Sequence, residues 1–185
     1  MSVSVSVLAS GSRGNCALVQ TSTTRILVDV GISCRETFRR MADAAETVPV
    51  GEVTPEAQRL ISCARRAFEK AMLVARAGFR VSEIGRAVER EVRRDGFSVI
   101  RELGGHGIGR TIHEQPRIPN YPDPEARELL TEGLVIAVEP IIAAGSGRTI
   151  LAEDGWTMKT ADRRPAAHYE HTIVVTKGAP ILLTA

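Results

Sequence analysis

Four histidines, all beyond position 105, stand beside glycines or acidic residues: Gly105-His-Gly-Ile-Gly109, Ile112-His-Glu114 and His168-Tyr-Glu-His171. Glycines flanking His106 remove neighbouring side chains, so the backbone can bend sharply and present one imidazole to a ligand or metal. A plain glycine turn with a surface histidine carries the same signature. Glu139 is the sharper observation. It ends the apolar run Leu134-Val-Ile-Ala-Val138, where a strand buried on both faces is expected, and Pro140 follows at once. A carboxylate in that setting needs an arginine, a hydrogen-bond cluster or a metal. Glu170 repeats the situation between Tyr169 and the run His171-Thr-Ile-Val-Val175. On a strand, His168, Glu170 and Thr172 share one face while Tyr169, His171 and Ile173 share the other. Two strand-borne glutamates with a loop histidine form an oxygen-rich, one-imidazole donor set, which suits manganese, iron, cobalt or zinc used hydrolytically. The HExxH, HxHxDH and EF-hand spacings are absent.

His113 and Trp156 have two readings each. His113 is either a hydrogen-bond donor to a developing oxyanion or a satisfied structural histidine. Trp156, the only tryptophan, follows Asp154-Gly155 and is either a core aromatic or a pocket wall. Ser10 and Ser12 invite a nucleophile reading, but no Gly-x-Ser-x-Gly elbow frames them.

The elements that must position these residues follow from periodicity. Val3, Val5 and Val7 alternate with serines, and Ala17 to Gln20 and Arg25 to Val30 are short apolar runs, so the opening reads as three strands. The turn Ser10-Gly-Ser-Arg-Gly-Asn15 lacks the ending of a phosphate loop. A helical pattern from Ser33 breaks over 42–50, at small residues and Pro49, which marks the best domain boundary. Thr54 then offers an N-cap with Pro55 behind it, and Leu60, Ala64, Phe68 and Met72 follow at spacing four before Gly78. A second helix is predicted after a Ser82 cap, with Ile84, Val88 and Val92 on one face and Gly96 at its end. Strands are predicted over Phe97 to Leu103, Leu134 to Glu139, Trp156 to Thr160 and Ala167 to Val175. Two helices followed by strands argue α+β with an antiparallel sheet.

Composition bounds the function classes. The chain has 185 residues, 24 Lys plus Arg against 22 Asp plus Glu, and 43% hydrophobic residues, as expected of a soluble globular domain. No run approaches the roughly 18 apolar residues of a membrane helix, and the start lacks a signal-peptide pattern, so a cytoplasmic protein without membrane contact is expected. A net charge of +2, confined to residues 1–43, is too small for a nucleic-acid footprint. Cys16, Cys34 and Cys63 form no CxxC pair and read as reduced, small hydrophobic residues.

At the chemistry-bearing residues the chain resembles type I methionine aminopeptidases. The matching strings are Gly96-Phe-Ser-Val-Ile-Arg-Glu102, Gly105-His-Gly-Ile-Gly-Arg110, His113-Glu-Gln-Pro116, Pro119-Asn-Tyr121, Val138-Glu-Pro140, Asp154-Gly-Trp-Thr157 and Tyr169-Glu-His-Thr172. The similarity begins near Thr47-Val-Pro-Val-Gly51 and runs to the end. It implies a pita-bread fold and a dinuclear metal site that removes the initiator methionine from nascent chains. By that resemblance His106, Glu139 and Glu170 are metal ligands, with Glu139 also a candidate proton shuttle. His113 contacts substrate or intermediate, and Trp156 lines the methionine pocket. Ile112 stands in that pocket where an aromatic is usual.

The family's two aspartate ligands lie on strands just before the match begins, and there residues 3–41 resemble instead the opening strands of metallo-β-lactamase-fold hydrolases. That fold's HxHxDH motif is absent. The chain therefore divides into a β-rich head, 1–43, and an incomplete aminopeptidase-like domain, 44–185. Two close cations need bridging carboxylates, so one divalent ion rather than two is expected; Asp29 or another head carboxylate is the candidate surrogate for a missing aspartate. Without metal, Glu139 and Glu170 repel, which raises at least one pKa and weakens the fold. The expected function is a methionine-aminopeptidase-like metallohydrolase of low or lost activity acting on peptide N-termini. The alternative is a non-catalytic peptide-binding remnant or a fused gene product. An uncovered sheet edge would favour self-association.

Overall fold

The computed structural model describes residues 4–9, 16–20, 25–28 and 43–184. The predicted helix from Ser33, and Asp29 with it, lie outside these residues. The three head strands, β1 (Ser4–Ala9), β2 (Cys16–Gln20) and β3 (Arg25–Val28), pair antiparallel in an order of their own, β1-β2-β3.

Helix α1 (Pro55–Met72) begins where the sequence predicts, with Thr54 Oγ1 accepting from the Ala57 N–H at 3.2 Å. Leu60, Cys63, Ala64, Ala67, Phe68 and Ala71 are its buried residues. Helix α2 (Val81–Arg94) starts earlier than its predicted Ser82 cap. Arg80 is the capping residue and makes no side-chain cap hydrogen bond. Val81, Ile84, Val88 and Val92 face the core, and Gly96 beyond the helix has φ +80°. At Gly85 a Cβ would come within 2.1 Å of the Tyr121 carbonyl, so glycine is what lets α2 settle this close to the 119–121 segment.

The strands that follow are β5 (Ser98–Val99), β6 (Gly104–Gly107), β7 (Glu114–Pro119), β8 (Val135–Val138), β9 (Ile141–Ala143), β10 (Thr149–Leu151), β11 (Met158–Thr160), β12 (Ala166–Val174) and β13 (Ile181–Leu182). Strands β10 and β11 form a separate hairpin, and the others build an antiparallel sheet along the path β5-β9-β12-β8-β6-β7. Strand β12 is its spine, pairing also with β13 and with β4 (Ala44–Glu46). The fold is therefore α+β with two helices against an antiparallel sheet, as predicted. Just past the expected boundary, Ala44–Glu46 form β4 and pair with β12. The predicted strand over Phe97 to Leu103 shrinks to Ser98–Val99, and the one from Trp156 begins at Met158.

One face of the sheet meets the helices. Phe68 of α1 packs on Tyr169 and His171 of β12, with ring centroids 5.4 and 5.2 Å apart. His171 is satisfied there, its ring nitrogens within 2.8 Å of Thr184 Oγ1 and 3.1 Å of the Tyr169 hydroxyl. Ile136, Val138, Ile142, Ile173 and Val175 complete the core with the helix residues.

Candidate metal centre

The sheet register gathers the site. His106 on β6 pairs with Ala137 on β8, and Ala137 pairs with Thr172 on β12, so the three side chains share a face. Val138 pairs with His171, and one residue further along this antiparallel register Glu139 falls opposite Glu170. Ala45 of β4 pairs with Glu170, which sets Asp43 opposite Thr172. Thr172 ties that corner down: its hydroxyl accepts from the Asp43 N–H at 2.8 Å and donates to the Asp43 carbonyl at 3.0 Å. His106, Glu139, Glu170, His168 and Asp43 thus lie on one face by strand parity alone, away from the helices.

The glycines around His106 act differently from the bend expected of them. None of Gly104, Gly105, Gly107 or Gly109 has a positive φ. Gly104, Gly105 and Gly107 lie within β6, and a Cβ on Gly105 would stand 2.1 Å from the Ala137 carbonyl. Their missing side chains allow strand β6 to lie tightly between β7 and β8, which holds His106 in the sheet plane.

The donor atoms fit a cation. His106 Nδ1 lies 3.0 Å from the Gly107 carbonyl, which can only accept, so Nδ1 carries the proton and Nε2 presents a lone pair. That Nε2 faces Asp43 Oδ2 at 3.7 Å and Glu139 Oε1 at 3.6 Å. A lone pair among carboxyl oxygens calls for a shared proton or a cation between them, and the backbone partner on the other ring nitrogen is the usual way of orienting a ligand histidine. Donor atoms of His106, Glu139 and Glu170 lie within 4.8 Å of one another, and so do those of Asp43, His106 and His113. Burial is the first cause of the electrostatics. It pushes Glu139 up to about 7, with Asp43 adding, and Glu170 up to about 9, with Glu139 and Asp43 adding. It also holds His106 below the ordinary histidine range and His168 down to about 4.

The remaining candidates sit at the rim. His113 is exposed, its ring 4.3 Å from that of His106, and Ile112 beside it is 38% exposed. Trp156 is 87% exposed in the β10–β11 turn, where Asp154 Oδ1 accepts from the Trp156 and Thr157 N–H groups at 3.0 and 2.8 Å. That exposure excludes the core-aromatic reading of Trp156. Two residues of the face were missed by the sequence reading. Asp43 sits where the pattern looked like a linker, and its one signal was a carboxylate just ahead of the matching strings. Strand alternation puts His168 on the Glu170 face without giving it a role. Two surface cavities, about 400 Å³ beside Arg93 and Arg148 and about 480 Å³ beside Arg86 and Arg127, include none of these residues, so donor chemistry rather than concavity locates the centre.

A sheet-borne cluster of carboxylates and imidazoles behind two helices defines a metallohydrolase class of site. The model of metallopeptidase family M24 matches residues 6–177, and the chain belongs to that family. The match takes in β2, β3 and most of β1 as well as residues 44–177. Methionine aminopeptidase 2 of Bacillus subtilis is 44% identical over 169 residues, 88% of this chain and 68% of that protein. Methionine aminopeptidase of Clostridium perfringens is 38% identical over 86% of this chain and 63% of its own length. The crystal structure of methionine aminopeptidase from Thermotoga maritima matches with a TM-score of 0.75 at 33% identity, over 92% of this chain and 62% of that one. The chain is thus a methionine-aminopeptidase-like member of the family, with its pita-bread fold, and spans roughly two thirds of these relatives' lengths. Among the described residues no helix is long and apolar enough to cross a membrane.

Proposed function

We propose that the chain removes N-terminal methionine from peptides with the help of a divalent cation held by His106, Glu139, Glu170 and Asp43. The observation that carries this reading is the His106 Nε2 lone pair facing Asp43 and Glu139 at 3.7 and 3.6 Å. A bound divalent ion would supply Lewis acidity toward the scissile carbonyl and a lowered pKa for water. The chain's own residues do the rest. Glu139, with its carboxyl near 7, takes and returns a proton at Oε1 or Oε2 close to neutral pH. His113 at the exposed rim donates a hydrogen bond to the oxygen on which charge develops. Trp156 and Ile112 contact the methionine side chain from the solvent side, and the peptide enters along this open face.

Asp43 changes the expectation of lost activity, because a carboxylate from before residue 47 does reach the centre. The reading keeps the division into a head, 1–43, of metallo-β-lactamase-like ancestry and an aminopeptidase-like domain, 44–185. The separate β1-β2-β3 sheet supports it, and the family match from residue 6 weighs against it. Incubating the protein with a Met-Ala-Ser peptide under manganese, iron, cobalt or zinc tests the function. Methionine release is expected with at least one of them, and release with none refutes the enzyme and leaves a peptide-binding remnant. Self-association through an open sheet edge is expected to show as concentration-dependent sedimentation.

A further inference from the structure

The Pro119-Asn-Tyr121 string has no part in the proposed catalysis, yet Asn120 is only 1% exposed. Its side-chain nitrogen Nδ2 donates to the Glu139 carbonyl at 2.8 Å. A carbonyl can only accept, so the amide nitrogen is the atom that must face it. Asn120 follows β7 and Glu139 follows β8, while β6 lies between those strands in the sheet. The bond therefore ties together the ends of two strands that are not neighbours. Glu139 is one residue past the end of β8, and Pro140 behind it restricts it to extended backbone without fixing the plane of the peptide that joins them. A hydrogen bond to its carbonyl fixes that plane, and with it the direction in which the Glu139 side chain leaves the sheet.

Asn120 is itself held from the helix side. A Cβ on Gly85 of α2 would stand 2.1 Å from the Tyr121 carbonyl oxygen and 2.7 Å from that of Pro119, so the 119–121 backbone rests directly on the helix. The Arg101 guanidinium lies 4.4 Å from the centre of the Tyr121 ring, and the Tyr121 hydroxyl donates to Asp123 Oδ2 at 3.3 Å. We propose that Asn120 is a positioning residue for Glu139, passing the fixed packing of the 119–121 segment on α2 to the carboxylate that faces His106 at 3.6 Å. So little exposure puts the amide out of a peptide's reach, and its part is to hold Glu139 rather than to react. A ligand held in place before the cation arrives loses less freedom on binding, which raises affinity. This rests on the metallohydrolase reading of the same face.

The test measures cation binding rather than turnover. Metal-stripped parent protein and N120L, which keeps the branching of asparagine and lacks the donor, are titrated with Co(II) by calorimetry and by visible absorption. T54A, which loses the α1 cap and no contact of the site, shows what reduced stability does alone. The expected result is an affinity lowered at least about tenfold with an altered absorption band in N120L, and parent-like binding in T54A. Parent-like affinity and spectrum in N120L, or an equal loss in T54A, overturn the proposal while leaving the metal centre intact. No binding by the parent overturns both. N120S, too short to reach the carbonyl, is measured alongside and read against the same outcomes, so that a folding failure of N120L leaves the comparison standing.

Discussion

Glu139→Gln in the metal-free protein should raise stability at alkaline pH, although it removes a central residue of the site. Burial and the nearby Asp43 carboxylate lift the Glu139 carboxyl from 4.5 to about 7. The folded state therefore holds this proton more tightly than the unfolded chain. Below about pH 4.5 both states are protonated and the favourable contribution is whole; it is lost as pH rises through the window up to about 7. The rise corresponds to roughly 3 kcal/mol, a large share of the ~5–15 kcal/mol that holds a typical domain together. Glu170, lifted to about 9 with Glu139 among its causes, prolongs the decline and is itself relieved when Glu139 loses its charge. Urea denaturation of chelator-treated protein should show E139Q and the parent nearly equal near about pH 4 and a gap of roughly 3 kcal/mol in favour of E139Q near about pH 8.5. Cobalt at a thousandfold excess over Kd should reverse the order, since binding there adds about 4.1 kcal/mol, more than the gap, only to the protein that keeps the ligand. A metal-free E139Q no more stable than the parent at the higher pH, or a gap independent of pH, would refute the placement of Glu139 as a buried, charge-crowded carboxylate.

Other variants separate site from scaffold. D43N should bind the first Co(II) equivalent at least about tenfold more weakly by calorimetry, since loss of an outer-shell partner alone costs 10–100-fold; unchanged affinity would remove Asp43 from the ligand set. H113A should lose roughly 10²–10³ in kcat with little change in KM or metal content, and an effect on KM alone would reassign His113 to ground-state binding. T54A should cost about 1 kcal/mol by denaturation, through loss of the cap on α1. G105A should yield little folded protein by circular dichroism, because its Cβ would stand 2.1 Å from the Ala137 carbonyl; a normally folded variant contradicts the close β6–β8 packing.

The helices were legible because their signals are local. The Thr54 cap and the four-residue spacing from Leu60 to Met72 require no partner to be read, and the buried face of α1 follows them. The glycines around His106 were misjudged because sequence reports only the missing side chain. Close packing of β6 against the Ala137 carbonyl, a contact some 30 residues away, decides what that absence is for.

Sequence by itself determined the donor types, the amphipathic helices and, by alternation, the face shared by His168, Glu170 and Thr172. It could not assemble the centre, because the side chains of a metal site converge from separate strands and their spacing in the chain carries no distance. Pairing decided it. A three-residue β4 is too short to show a period, yet its hydrogen bonds to β12 carry Asp43 to His106. The antiparallel register of β8 with β12 sets Glu139 against Glu170. Burial of that face, which exists only in the folded chain, is what raises both carboxyls and leaves two imidazole nitrogens facing them.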